Sequence, residues 1–450
     1  MEVGRFKQMV FESFLRYIYR NLPLSSPVKQ RLKEIYLGWT PIWKGFDKTV
    51  FKLDINREPL AAVAASAQQY DAHSHSVLVI DERIPTPDQD SGSVRMSAIL
   101  RLLQEMEFKI TFVSDSQHYL PGYRKALEKQ DIQVLQGFDA ARSHLATAGG
   151  KYHFAFLSRP EIAFRYLPYV RAYALYSKVI YDTVDLHWVR FEREMQITEN
   201  QALLEVITNF RRLELFNTAC ADLTLAITHE EKNRLLLQEP NAEVAVLPNI
   251  HEIHPPKTLF AQRSGVLFVG GFWHQPNEDA VIFFVKRILP LIVERIPSLV
   301  FYIIGSNTPP SIKALRSINV QPLGFVADVA PYFESCRIFV APLRYGAGMK
   351  GKVGQSMSYG LPVVTSTIGA EGMGLLHEKH LLIADEAEAF ADAVVRLYED
   401  ELLWRKLSSG ALSHVEESYS YNSARKRMSS IFAGVQELDN TPSASVSLAS

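Results

Sequence analysis

From residue 76 almost to the end, short apolar runs alternate with helix-length amphipathic segments, and the alternation breaks once and restarts. Residues 76–80 (Ser-Val-Leu-Val-Ile) and 109–113 read as strands buried on both faces, with a helix over 97–107 between them. Further strands are expected at 132–135, 153–157, 179–181, 223–227 and 244–247. Strands separated by helices form βαβ units, whose sheets are parallel and covered on both faces. A break over 249–263 holds the pair Pro255-Pro256. The pattern then resumes with strands at 265–269, 299–304, 338–341 and 361–365, and helices over 277–296, 353–359, 386–398 and 401–417. The expected fold is therefore α/β, with two Rossmann-like domains, 71–250 and 251–437, facing each other across a cleft.

Composition narrows the function classes. A chain of 450 residues fits two or three domains. The net charge of −1 argues against a large nucleic-acid-binding surface. Cys220 and Cys336 are the only cysteines and lack His or Cys neighbours at metal-ligand spacing, so neither a disulfide scaffold nor a Cys-based metal site is expected. No apolar run reaches the roughly 18 residues of a spanning helix, because Lys286, Arg287 and Glu294 interrupt the best candidate. Arg5, Lys7, Glu12, Arg16 and Arg20 break any signal-peptide core, so the expected location is the cytoplasm. Residues 1–70 read as a helical, basic, amphipathic extension. Its first 46 residues hold eight basic side chains against three acidic ones. Such a segment either packs on the body or lies peripherally on an anionic membrane face. Residues 438–450, rich in Ser, Ala and Thr, read as a loose tail.

In an open parallel sheet, ligands collect beyond the carboxyl ends of the strands. The segment 341–365 is the most informative there. A strand runs into Arg344-Tyr-Gly-Ala-Gly-Met-Lys-Gly-Lys352, a short helix follows, and Gly360 and Pro362 end it. Gly346, Gly348 and Gly351 let backbone N–H groups approach an oxyanion, and a helix N-terminus favours negative charge. Lys350 and Lys352 add two point charges. The combination suits a diphosphate; the plainer alternative is a surface loop with solvated lysines.

The order strand, Gly-Ala-Gly-Met-Lys-Gly-Lys, helix, Tyr-Gly-Leu-Pro-Val-Val, then Ile-Gly-Ala-Glu-Gly-Met resembles the nucleotide-sugar domain of family 4 glycosyltransferases of the GT-B fold. Segments 268–279, 303–306 and 324–328 look like the same family's markers, and 80–96 resembles its bacterial O-antigen and exopolysaccharide branch. The resemblance implies sugar transfer from a nucleoside diphosphate sugar to a glycan or lipid-linked acceptor in surface polysaccharide synthesis. It also implies retention of anomeric configuration and chemistry without a metal ion or other cofactor. One departure is visible. Two family glutamates correspond here to Ala347 and Gln355, the second still able to hydrogen-bond a hydroxyl. That loss motivates an alternative, a catalytically weak subunit that binds nucleotide sugar or glycan within an assembly complex. A nicotinamide-dependent oxidoreductase fits poorly, because the first βα turn supplies only Gly92.

Donor-binding candidates are Arg344, Gly346, Gly348, Met349, Gly351 and Gln355 in this segment, with Gly270, Gly271 and Gly305 at other strand ends. Phe325 and Val326 lie in a stretch, 324–326, that resembles the family's base-contacting segment. Glu371 is expected beside the donor, at a sugar or ribose hydroxyl, unless simply solvated. His274 reads equally as a phosphate donor or a helix cap. Gly92 and Arg95 would reach the cleft from the first domain. Asp185 and His187, on the acceptor-side rim, join Lys350 and Lys352 as catalytic candidates, with capping of the next helix as the competing role for Asp185.

Overall fold

The computed structural model describes residues 75–118, 120–346 and 348–433. The basic extension, the loose tail and Ala347 lie outside them. The first domain is a parallel sheet of β1 (Ser76–Asp81), β2 (Lys109–Ser114), β3 (Gln133–Gln136), β4 (Phe154–Ser158), β5 (Lys178–Asp182), β6 (Leu223–Ala226) and β7 (Val244–Val246), in spatial order β3-β2-β1-β4-β5-β6-β7. The second is a parallel sheet of β8 (Val266–Val269), β9 (Phe301–Ile304), β10 (Val320–Gly324), β11 (Ile338–Ala341), β12 (Val363–Thr365) and β13 (Leu382–Ile383), in order β10-β9-β8-β11-β12-β13. The strand order reverses between β1 and β4 and again between β8 and β11. Those two points are where a crevice opens at the carboxyl edge of such a sheet.

Helices that position the cleft are α1 (Ser91–Glu105), α2 (Pro160–Tyr173), α3 (His187–Thr198), α4 (Leu203–Cys220), α5 (His229–Gln238), α6 (Gln275–Phe283), α7 (Gly351–Ser358) and α8 (Thr367–Ala370). α9 (Glu401–Tyr419) and α10 (Tyr421–Ala433) close the described chain. The central strands are apolar throughout and buried on both faces, as parallel packing requires: Val77, Leu78, Val79 and Ile80 are all wholly inaccessible. Among the described residues, no helix is long and apolar enough to cross a membrane.

Several expectations change. The helix expected from residue 97 starts at Ser91, because the Asp90 carboxylate accepts from the Ser93 N–H at 2.8 Å and caps it there. The helix expected over 277–296 is α6, a π turn over Phe284–Ile288 and a further turn over Leu289–Val293, an arrangement that accommodates Pro290, which has no N–H to give. β10 and β13 add two strands at the sheet edges that the apolar runs did not announce. α10, expected within 251–437, returns to the first domain. Ala424, Met428 and Phe432 join that domain's core, and Phe432 meets Phe154 edge-on at 4.6 Å. The chain therefore crosses between domains twice, and the crossings run side by side. The His251 N–H donates to the Tyr419 carbonyl at 2.8 Å.

Arg95 is the clearest correction. It is 2% exposed and faces inward, where its guanidinium makes two bonds, of 2.6 and 2.8 Å, to the fully buried Asp182 carboxylate. It also donates to the Leu247 carbonyl at 3.0 Å. Its helix turns it under the sheet edge, so it holds β5 and the chain after β7 together and does not reach the cleft. Removing one partner of a buried pair strands the other charge, at about 3–5 kcal/mol. Arg95→Ala is thus expected to lower stability by about that amount in urea unfolding; a loss below about 1 kcal/mol would contradict the assignment.

Candidate functional site

β11 delivers the chain to the second domain's switch point, and the glycine loop there leads into α7. Gly346 and Gly348 take positive φ values of 146° and 62°, which non-glycine residues rarely adopt. Two of the glycines also permit contact across the cleft. A Cβ on Gly351 would lie 2.7 Å from the Ser91 side chain at the start of α1. One on Gly348 would lie 2.8 Å from Ile227 and 3.1 Å from the Glu231 carboxylate. The N-termini of α1 and α7 therefore face each other, and both favour an anion.

Both lysines are drawn into this site. Lys350, 9% exposed, donates to the Gly348 carbonyl at 2.6 Å, and its ammonium lies 3.9 Å from Glu371. Burial pushes its pKa down to about 8, against the pull of Glu371. Lys352 donates to the Asn277 side-chain carbonyl and sits 5.2 Å over the Phe268 ring. Burial, helped by repulsion from Lys350, takes it down to about 7. Asn277 in turn donates to the Gly271 carbonyl at 2.7 Å, which fixes the Gly270-Gly271 turn at the end of β8. The lysines and this turn are thus one connected unit, in which Asn277 is a member that spacing alone did not reveal.

The first domain contributes the opposite rim. His187 Nδ1 lies 3.3 Å from Asp185 and 3.5 Å from Glu214, and the ring stacks on Phe210. Burial opposes the charged imidazole, but Asp185 and Glu214 outweigh it and hold the His187 pKa above its usual value. Asp185 pairs with Arg190 at 2.8 Å and does not cap α3. The first N–H groups of α3 are met by the wholly buried Glu214, which accepts from His187 at 2.9 Å and Trp188 at 3.2 Å. Glu231 accepts from the Leu186 N–H at 3.2 Å. Burial pushes Glu231 up to about 8. These two glutamates steady a loop that begins at Val184, whose φ of 64° is strained for a β-branched residue. Neither glutamate is announced by its local sequence.

Other candidates divide. Met349 is buried among Ile227 and Val353, so it packs the two rims together. Gln355 is half-buried on α7. Gly324, with φ 78° and open space where a Cβ would stand, and the exposed Phe325 lie at the end of β10, while Val326 packs against the core. His274 occupies the N-cap position of α6 but makes no capping bond with its side chain. Gly92 is near Arg159, whose guanidinium lies 3.4 Å from a hypothetical Cβ.

Gly305 does not open a ligand space. A Cβ there would lie 2.0 Å from the Gly270 carbonyl, so its small size serves packing between strand ends. Arg344 faces the flank of α6, where it pairs with Asp279 at 2.9 Å and lies over Phe283. Glu371 is partly exposed but is held by an ion pair rather than standing free in solvent. Both its oxygens pair with Arg193 of α3, a first-domain residue that the sequence did not single out.

Comparisons with known proteins bear on the fold and on the segment that carries the loop. The family model for glycosyl transferases group 1 matches residues 263–400, which run from just before β8 to the start of α9 and contain the whole glycine–lysine unit. An uncharacterized 44.6 kDa protein in the cps region of Klebsiella pneumoniae is 26% identical over 176 residues, 37% of this chain. The match spans 45% of that relative, less than half its length. Sucrose-phosphate synthase from Thermosynechococcus elongatus superposes with a TM-score of 0.63 at 12% identity, covering 81% of this chain and all of that one. HepE of Anabaena, solved in complex with UDP and glucose, gives 0.60 at 12%, covering 80% and 100%. At such identity the structures speak for the fold, which is the GT-B arrangement of two Rossmann-like domains.

The buried lysines carry a consequence for stability. Lysine in the unfolded chain keeps its proton up to about pH 10.5, whereas Lys352 releases it near 7. Between those values the unfolded chain binds more protons, so stability should rise with pH. Denaturant unfolding from pH 7 to 9.5 is expected to show a steeper rise for the native chain than for Lys352→Met. Identical slopes would contradict the buried placement.

Proposed function

We propose that this chain transfers a sugar from a nucleoside diphosphate sugar to a glycan or lipid-linked acceptor, and that residues 346–352 receive the departing diphosphate. The observation that carries this is the coincidence of three things at the β8/β11 switch point. Two lysines, the N-terminus of α7 and a positive-φ glycine loop converge there, inside the segment that matches the glycosyl transferases group 1 model. UDP in the HepE complex supports a nucleotide-sugar donor, and the cps-region relative supports a surface polysaccharide as product.

The chemical problem is the departure of an anionic diphosphate while the anomeric carbon gains positive character. Preorganised cations and N–H groups in a water-poor site stabilise that charge where it develops. An adjacent phosphate favours the charged amine, so Lys350 stays charged and Lys352, at about 7, is poised to take up a proton as the diphosphate arrives. Contact of the glycine loop with Ile227, Asp185 and Glu231 narrows the cleft around the reacting atoms and limits hydrolysis. The acceptor would enter along the rim of Asp185 and His187. Retention of configuration without a metal ion is the course that the resemblance supports. Gln355, in place of a family glutamate, would serve as a neutral hydrogen-bond partner to a donor hydroxyl.

The neutral residues at 347 and 355 also favour a second reading, a binding subunit without turnover. Purified protein given a panel of nucleotide sugars with lipid-linked and oligosaccharide acceptors separates the two. Transfer is expected, and Lys352→Ala should lower kcat by about 10²–10³-fold, the range for loss of one group that stabilises developing charge. Binding without transfer to any acceptor would favour the subunit, and full activity of the variant would contradict the site.

Peripheral attachment on the cytoplasmic side belongs to the same proposal and is motivated by the basic residues of the first 46 positions. Sedimentation with anionic vesicles is expected to recover more full-length protein than protein lacking residues 1–65; equal recovery would count against attachment.

A further inference from the structure

Arg193 belongs to α3 of the first domain, yet its guanidinium crosses the cleft. Both terminal nitrogens pair with the Glu371 carboxylate, and one also donates to the Gly346 carbonyl at 2.7 Å. The Lys350 ammonium lies 3.9 Å from the same carboxylate. Glu371 is thus shared by two cations, one from each domain, beside the loop assigned above to the diphosphate. The Arg193 and Glu371 side chains are 18% and 24% exposed, so a solute in the cleft can reach them.

A guanidinium takes a carboxylate or a phosphate with the same two-pronged geometry. We propose that Glu371 holds the place of a phosphate: a nucleoside diphosphate displaces it from Arg193 and Lys350, so that Arg193 becomes a donor-binding residue supplied by the opposite domain. The diphosphate brings more charge than the carboxylate and gains the α7 N-terminus as well, which drives the exchange. Released from Arg193, the Glu371 carboxylate is available to a sugar hydroxyl. Closure and donor occupancy are then coupled, because Arg193 reaches the loop only across the narrowed cleft. The inference rests on the reading of residues 346–352 as the diphosphate site.

An ordinary ion pair that merely joins two domains would behave differently, and the two halves of the pair expose the difference. Titration calorimetry on the full chain with UDP, ADP and GDP identifies the nucleotide that binds best, which then serves as the probe. Arg193→Gln is expected to weaken it by about tenfold, or about 1.4 kcal/mol, whereas Glu371→Gln should tighten it several-fold. Arg193→Lys, which keeps the charge, should fall between native and Arg193→Gln, and thermal unfolding of each variant establishes that it is folded. Equal weakening by Arg193→Gln and Glu371→Gln would overturn the proposal and leave a structural bridge, as would no change in either. Failure of the folded native chain to bind any of the three nucleotides would instead overturn the donor-site reading beneath it, and the proposal with it.

Discussion

The two rims touch because residues 348 and 351 carry no side chain. Ser91, Ile227 and Glu231 fill the space where side chains on those glycines would stand. That close approach removes water from the lysines behind the loop, and desolvation lowers their pKa values toward neutrality. It also brings Arg193 within reach of Gly346 and Glu371. Geometry and electrostatics at the cleft therefore have one origin, the thinness of a glycine loop at the carboxyl edge of a parallel sheet.

Charge in the cleft is arranged in opposed sets. Lys350, Lys352 and the start of α7 lie on the second domain, and Asp185, Glu214 and Glu231 on the first. Burial holds Glu231 near a neutral acid at ordinary pH, and Arg190 and His187 help to keep Asp185 ionised in spite of its own burial. The acidic groups of the first domain suit hydroxyls and the cations of the second suit phosphates, with one exchange across the cleft, where Arg193 of the first domain meets Glu371 of the second. Such a division fits a reaction in which a sugar passes between an anionic carrier and a neutral alcohol.

Much of the fold could be read from the chain because parallel strands buried on both faces are continuous apolar runs, as at 76–80 and 338–341. β10 escaped because Pro322 and an alternating burial pattern suit an edge, where no such run is needed. The glycine–lysine loop was legible because its residues are adjacent in sequence. Arg193, Asn277, Glu214 and Glu231 were not, since each gains its role from a partner in another segment. Arg95 was misjudged for a local reason: capping by Asp90 starts its helix six residues earlier than the apolar pattern suggests, and that turns the guanidinium inward toward Asp182.

The most direct measurement is a crystal structure of this chain with a nucleoside diphosphate bound. Phosphate oxygens within hydrogen-bonding distance of the first N–H groups of α7 and of the Lys350 and Lys352 ammonium groups are the predicted result. A nucleotide seated with its phosphates remote from the 346–352 turn, or in a different crevice altogether, would contradict it.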